Sequence, residues 1–190
     1  MINQNNLQSR LASKLAVILS CITLTAVTAT SAIAQSATSR ILNIKGVQVG
    51  TATFTQTPLG VKVLLEVQNL AKGEHMVHVH ENGKCDAPEF KTSGKHFASK
   101  DDNEHDHMQM MHNKHEESKH KPAGDLPNIV VKQDGKGTLT ALLSELSLGM
   151  GKNSLLKKGG TSILIHAGAN GKSTIPNVDY KTRIACGIIK

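Results

Sequence analysis

The amino-acid sequence predicts an all-β sandwich or barrel. Three observations carry this: short runs in which apolar and polar residues alternate with a period of two, Gly-, Asn- and Asp-rich turns between them, and no sustained helical periodicity beyond the first 34 residues.

Taken in order, the chain begins with Arg10 and Lys14, the apolar run LAVILSCITLTAV, and SAIAQ, where Ala32 and Ala34 form the small-x-small pattern cut by signal peptidase. Residues 1–34 read as a cleaved secretory signal and 35–190 as one domain. Two alternatives are a membrane anchor and a lipid anchor on Cys21 in ILSC. The run is too short and too rich in Ser and Thr for the first, and it continues past the cysteine to a better cleavage site, against the second.

Strands follow. VGTATFTQ alternates Thr51, Thr53 and Thr55 against Ala52 and Phe54, and GVKVLLEVQNL alternates Val61, Val63, Leu65 and Val67 against Lys62, Glu66 and Gln68. KQDGKGTLTALL sets Asp134-Gly135 between two β-prone runs, a hairpin signal. NIVVKQ, TSILIHAG and TRIACGII complete the set. The segment from His96 to Asp125 breaks the pattern. It holds six of the 10 histidines and Met108, Met110 and Met111, lacks β alternation, and is too long for a hairpin connection.

Composition narrows the function. The formal charge is +7, falling to +5 when the leader with Arg10 and Lys14 is removed; the remaining lysines are scattered and aromatics make up 2% of residues, so stacking platforms for bases are scarce and nucleic acid is not expected as a partner. A cationic surface suits solubility and small anions instead. Nor is a membrane expected as a partner once the leader is removed. Removal of Cys21 leaves Cys85 and Cys186, an even pair that an oxidising compartment would join; the bond would close a loop of about 100 residues, contributing roughly 4–5 kcal/mol in the chain-entropy picture.

EHMVHVHENGKC, Glu74 to Cys85, raises the question of chemistry. In a strand His78 and His80 share one side while Val77 and Val79 face the other, so both imidazoles can reach one ion. An H-x-H pair alone is equally a solvent-facing strand, and it needs partners. HMVHVHENGKC, SGKHF, AGDLPN, ILIHAG and RIACGII supply them in one order, and this run of motifs, from about Leu42 to Ile189, closely resembles the copper/zinc superoxide dismutases of the bacterial periplasm.

The resemblance implies an eight-stranded Greek-key β-barrel or sandwich with long metal-binding and electrostatic loops, an architecture for which this family is a known example. It implies copper held by His78, His80, His96 and His166, a nitrogen set that suits Cu(II) and permits Cu(I). Standing alone, His166 reads as a core histidine at the end of its strand. His75 reads as structural, because it would point away from His78 on a straight strand. For zinc the pattern matches His96, His105 and Asp125, but Pro122 stands where the third histidine belongs; His120 is the expected replacement, with His107, His112 and His115 also within chain reach. Asn170 replaces an aspartate that links the two metal sites in the family, so their coupling should be weaker.

The same resemblance joins Cys85 to Cys186 and makes Arg183 the cation that binds and steers superoxide, assisted by Lys172 and Lys181. It implies that His96 leaves copper on reduction, takes up a proton and passes it to the bound anion, as dioxygen and hydrogen peroxide form. The expected enzyme is thus a periplasmic copper/zinc superoxide dismutase, monomer or homodimer, protecting against superoxide. The rival is a non-catalytic periplasmic copper/zinc buffer on the same scaffold. Its capture segment would be the His/Met-rich loop 97–124, which reads equally as a plain polar loop. Arg183 separates the two, since a buffer needs no anion guide.

Overall fold

A computed structural model describes residues 34–98 and 122–190. Its strands are β1 Ser36–Asn43, β2 Gln48–Thr57, β3 Gly60–Val67, β4 Gly73–His75, β5 Val77–His80, β6 Ile129–Val131, β7 Gly137–Leu143, β8 Thr161–His166, β9 Gly168–Ala169, β10 Lys172–Ser173 and β11 Arg183–Ile189. The helical content of the described residues is a single 3-10 turn, Lys91–Ser93. No helix among them is long and apolar enough to cross a membrane.

The main sheet runs β5-β8-β11-β1-β2-β3-β7, with β4 paired to β6 beside it. Its neighbours are all antiparallel, and the sheet is curled. Taking β4 and β5 as one strand interrupted at Met76, and setting aside the two-residue β9 and β10, eight strands remain. The interruption is where the chain changes partner: His75 pairs with Ile129 of β6, whereas Val77 pairs with Ile165 of β8.

Alternation builds the core. In β3 Val61, Val63, Leu65 and Val67 are buried while Lys62, Leu64 and Glu66 are exposed, as the period of two requires. Val77 and Val79 of β5, with Ile163 and Ile165 of β8, join the same apolar cluster. Each such side chain contributes about 1.5–3 kcal/mol by leaving water. The expected turn at Asp134-Gly135 joins β6 to β7: Gly135 has φ of 76°, and Lys132 N donates to Lys136 O at 2.8 Å.

One departure from simple alternation matters for the site. All six residues of β8 are buried, as are all four of β5. The inner face of β8 meets the core, and Leu164 on the outer face lies in a second apolar cluster with Phe90 and Cys186, against which Cys85 packs. The segment after β5 therefore folds back over the outside of the sheet. Its anchor is the Cys85–Cys186 disulfide, with Cα atoms 5.7 Å apart and a sequence separation of 101.

Replacing both cysteines by serine is expected to lower the unfolding free energy by about 2–5 kcal/mol. The measurement is the urea midpoint, which should fall, with a steeper slope because the unlinked denatured chain exposes more surface. An unchanged midpoint would mean that the bond does not hold the fold.

Candidate metal centre

The site forms where two loop segments add to the free edge of β5. Val79 N donates to Gly124 O at 2.8 Å, and Val79 O accepts from Phe97 N at 2.8 Å; Gly124 N in turn donates to Phe97 O at 2.9 Å. These bonds set His80 opposite His96 and His78 opposite Asp125 as isolated bridges. A side chain at Gly124 has no room, since a Cβ there would lie 2.7 Å from Val79 O and 3.0 Å from Phe97 Cβ. Phe97, 1% exposed, anchors one segment beneath the Lys157 ammonium, which lies 4.4 Å from its ring centroid.

His78, His80, His96 and His166 each present a nitrogen to one point, the four atoms lying within 4.8 Å of one another. Three of the rings are tied down from behind. His80 Nδ1 donates to Gly94 O at 3.0 Å, His166 Nδ1 donates to Lys181 O at 2.7 Å, and His96 Nδ1 donates to Asp125 Oδ1 at 2.9 Å. Each bond fixes the tautomer, leaving Nε2 as the lone-pair nitrogen. His78 approaches through Nδ1, which lies 3.2 Å from His166 Nε2.

The donors fit a metal on physical grounds. His80 Nε2 is buried with no hydrogen-bond partner, a costly state for an imidazole nitrogen unless an ion takes its lone pair. Burial, with the charge of His96 acting in the same direction and Asp125 opposing, lowers the pKa of His78 to about 3. For His80 burial wins over the Gly94 carbonyl bond, Arg183 adds to it, and the value falls to about 4. Burial also lowers His166, against the Lys181 carbonyl bond. All three are neutral near pH 7, with lone pairs available to copper or zinc. His75 stands apart, fully buried, its ring nitrogens 2.7 Å from His166 O and 2.8 Å from Ala71 O.

Arg183 opens β11 opposite His166. Its Nη1 donates to Phe90 O at 2.8 Å and to Ser93 Oγ at 3.0 Å, and its Nη2 to Gly94 O at 2.9 Å. Partial burial lowers its pKa from the ordinary value, which still leaves it a cation. Ser93 and Gly94 open the SGKHF motif, but the sequence analysis assigns neither a part, and the Phe90, Gly94 and Lys181 acceptors are backbone carbonyls that carry no side-chain signal.

Of the expected zinc set, the structure brings together His96 and Asp125. His105 and His120 lie outside the described residues, as do His107, His112 and His115. Pro122 closes the turn that presents Asp125, its carbonyl accepting from Asp125 N at 2.9 Å. Asn170 donates from Nδ2 to Glu74 Oε2 at 2.8 Å, so its amide is bound to β4. The reason is local: Asn170 and Gly171, at φ of 52° and 75°, form the two-residue turn between β9 and β10, as an Asn-Gly pair favours.

In the unfolded metal-free chain these imidazoles take protons near 6.5; in the folded one His80 waits until about 4 and His78 until about 3. Between those values the unfolded form binds more protons. Stability of the metal-free protein is therefore expected to be full above pH 6.5 and to fall as pH drops through the folded values. Denaturation midpoints of stripped protein at about pH 8 and about pH 5 check this; equal midpoints would contradict desolvation of the rings.

Comparison with known proteins agrees with this geometry. The family described as copper/zinc superoxide dismutase (SODC) matches residues 48–189. The chain is 37% identical over 156 residues to superoxide dismutase [Cu-Zn] 1 of Aquifex aeolicus, covering 79% of this chain and 85% of that one. It is 35% identical over 157 residues to the Caulobacter vibrioides superoxide dismutase [Cu-Zn], covering 82% and 86%. A crystal structure of a SOD-like protein from Bacillus subtilis superposes with a TM-score of 0.62 at 25% identity, covering 80% of this chain and 96% of that one. With four converging imidazoles and the disulfide on this sheet, the chain belongs to the copper/zinc superoxide dismutase family.

Proposed function

We propose that the mature chain, residues 35–190, is exported to the periplasm and converts superoxide to dioxygen and hydrogen peroxide. The observation that carries this is the convergence of His78, His80, His96 and His166 beside a tethered Arg183. These four histidines would hold copper. His96, Asp125, His105 and His120 would hold zinc, the last favoured by its place two residues before Pro122. Export is supported by the leader pattern and by a cysteine pair suited to an oxidising compartment.

Bound copper would supply a one-electron couple, by which one superoxide loses an electron and a second gains one and, with two protons, becomes hydrogen peroxide. The protein's part is positional and electrostatic. His80 and His166, held from behind by carbonyls, present Nε2 without reorganising when charge changes. His96 is the most open ring of the set, its side chain 38% exposed, so its Nε2 is the one placed to exchange protons with solvent. Asp125 orients that ring through Nδ1, the nitrogen that would turn to zinc, with Asp125 as a second ligand, once zinc is held. Arg183 attracts the monovalent anion to the copper position, a form of steering documented for superoxide dismutases. A metal buffer would have no use for a guanidinium so placed.

Reconstituted with copper and zinc, the wild type should dismutate superoxide at a rate that falls with added salt, over a screening length of about 8–10 Å. His166→Ala should lose copper and activity together. Arg183→Glu should keep its copper and lose about tenfold or more in rate, and His120→Ala should lower zinc content alone. A copper-loaded wild type without turnover would reduce the protein to a metal binder.

A further inference from the structure

The bonds around Arg183 meet at a residue with no assigned part, Ser93, which closes the 3-10 turn Lys91–Ser93 and is fully buried. Its hydroxyl donates to Phe90 O at 2.8 Å and accepts from Arg183 Nη1 at 3.0 Å. The same oxygen lies 3.4 Å from His80 Nδ1, whose main acceptor is Gly94 O at 3.0 Å. Gly94 O also accepts from Arg183 Nη2. The guanidinium and the His80 ring are thus fastened to one stretch of backbone, Phe90 to Gly94, and the Ser93 side chain touches both.

We propose that Ser93 is a positioning residue for anion capture, acting through Arg183. This rests on the dismutase reading of the same site. The physical reason lies in the donor count. A guanidinium has five N–H donors in a fixed plane; Phe90 O, Ser93 Oγ and Gly94 O take three of them on one side and thereby set the direction in which the rest face. Phe90 O and Gly94 O are backbone and survive any substitution. Ser93 Oγ is the side-chain acceptor among the three, and it also receives no competing water, being fully buried. Loss of this acceptor would leave one Nη1 hydrogen unpaired and let the guanidinium plane turn about the remaining two bonds.

The reverse possibility is that Ser93 only closes its turn, since its N–H and its hydroxyl both reach Phe90 O. That role would cost stability without touching anion binding. The two are separated by a double-mutant cycle read on azide, a monovalent anion, titrated against the copper(II) form of the full mature protein. Ser93→Ala in the wild-type background should weaken azide binding about 3- to 10-fold, in line with the net worth of one ordinary hydrogen bond felt through Arg183, while copper content stays at the wild-type level. In an Arg183→Gln background the same substitution should change azide affinity by less than about twofold. Ser93→Thr, which keeps the hydroxyl, should return affinity toward wild type. Equal azide affinity for wild type and Ser93→Ala, or an equal loss in both backgrounds, would overturn the proposal. Because azide binding needs no turnover, a wild type that binds azide with this coupling and yet fails to dismutate would overturn the functional reading and leave the Ser93 role standing.

Discussion

Val79 is the residue on which the site turns. Its N–H and C=O point out of the sheet edge, where they bond Gly124 and Phe97, two residues 27 positions apart in the sequence. A free strand edge is a liability that proteins cover; here the cover is also the active chemistry. With those bonds made, His96 must lie opposite His80 and Asp125 opposite His78. The H-x-H pair becomes a four-imidazole cluster without any helix or extra domain, and Gly124 is required because a Cβ would meet Val79 O.

A second layer holds the rings in the right direction. The segment after β5 is pulled over the outer face of β8 by the Cys85–Cys186 bond and by Phe90 packing on Leu164. That brings Phe90 O, Ser93 and Gly94 O against Arg183 and His80. Covalent link, apolar packing and polar network therefore form one chain of cause, from the disulfide to the angle of a guanidinium. On the other side Asp179 Oδ1 accepts from Lys181 N at 2.7 Å, steadying the turn whose carbonyl receives His166 Nδ1. Burial that results from this covering is what keeps His78, His80 and His166 neutral and ready to bind.

Much of this was legible in the sequence. The period of two in β3 placed Val61 to Val67 inward, and the same rule put His78 and His80 on one side of β5 with Val77 and Val79 in the core. His75 was correctly separated from the cluster by strand geometry, although the cause is sharper than expected: the strand changes partner at Met76. What could not be read was anything made by backbone atoms far apart in sequence. The pairing of Val79 with Gly124, the carbonyls behind His80 and His166, and the seating of Arg183 leave no mark on side-chain pattern. Burial of both faces of β8 was hidden for the same reason, since it depends on a loop folding back. Asn170 forms a tight turn with Gly171, a role legible in the Asn-Gly pair itself and separate from any link between metals.

The central claim is the proposal that the cluster of His78, His80, His96 and His166 takes the first copper ion through its imidazole nitrogens. Electron paramagnetic resonance of metal-stripped protein given one equivalent of copper(II) tests it most directly. The account predicts a single tetragonal signal with hyperfine structure from a nitrogen-rich plane, replaced by a different signal when His80 is changed to alanine. A mixture of signals in the wild type, or one unchanged by His80→Ala, would contradict it.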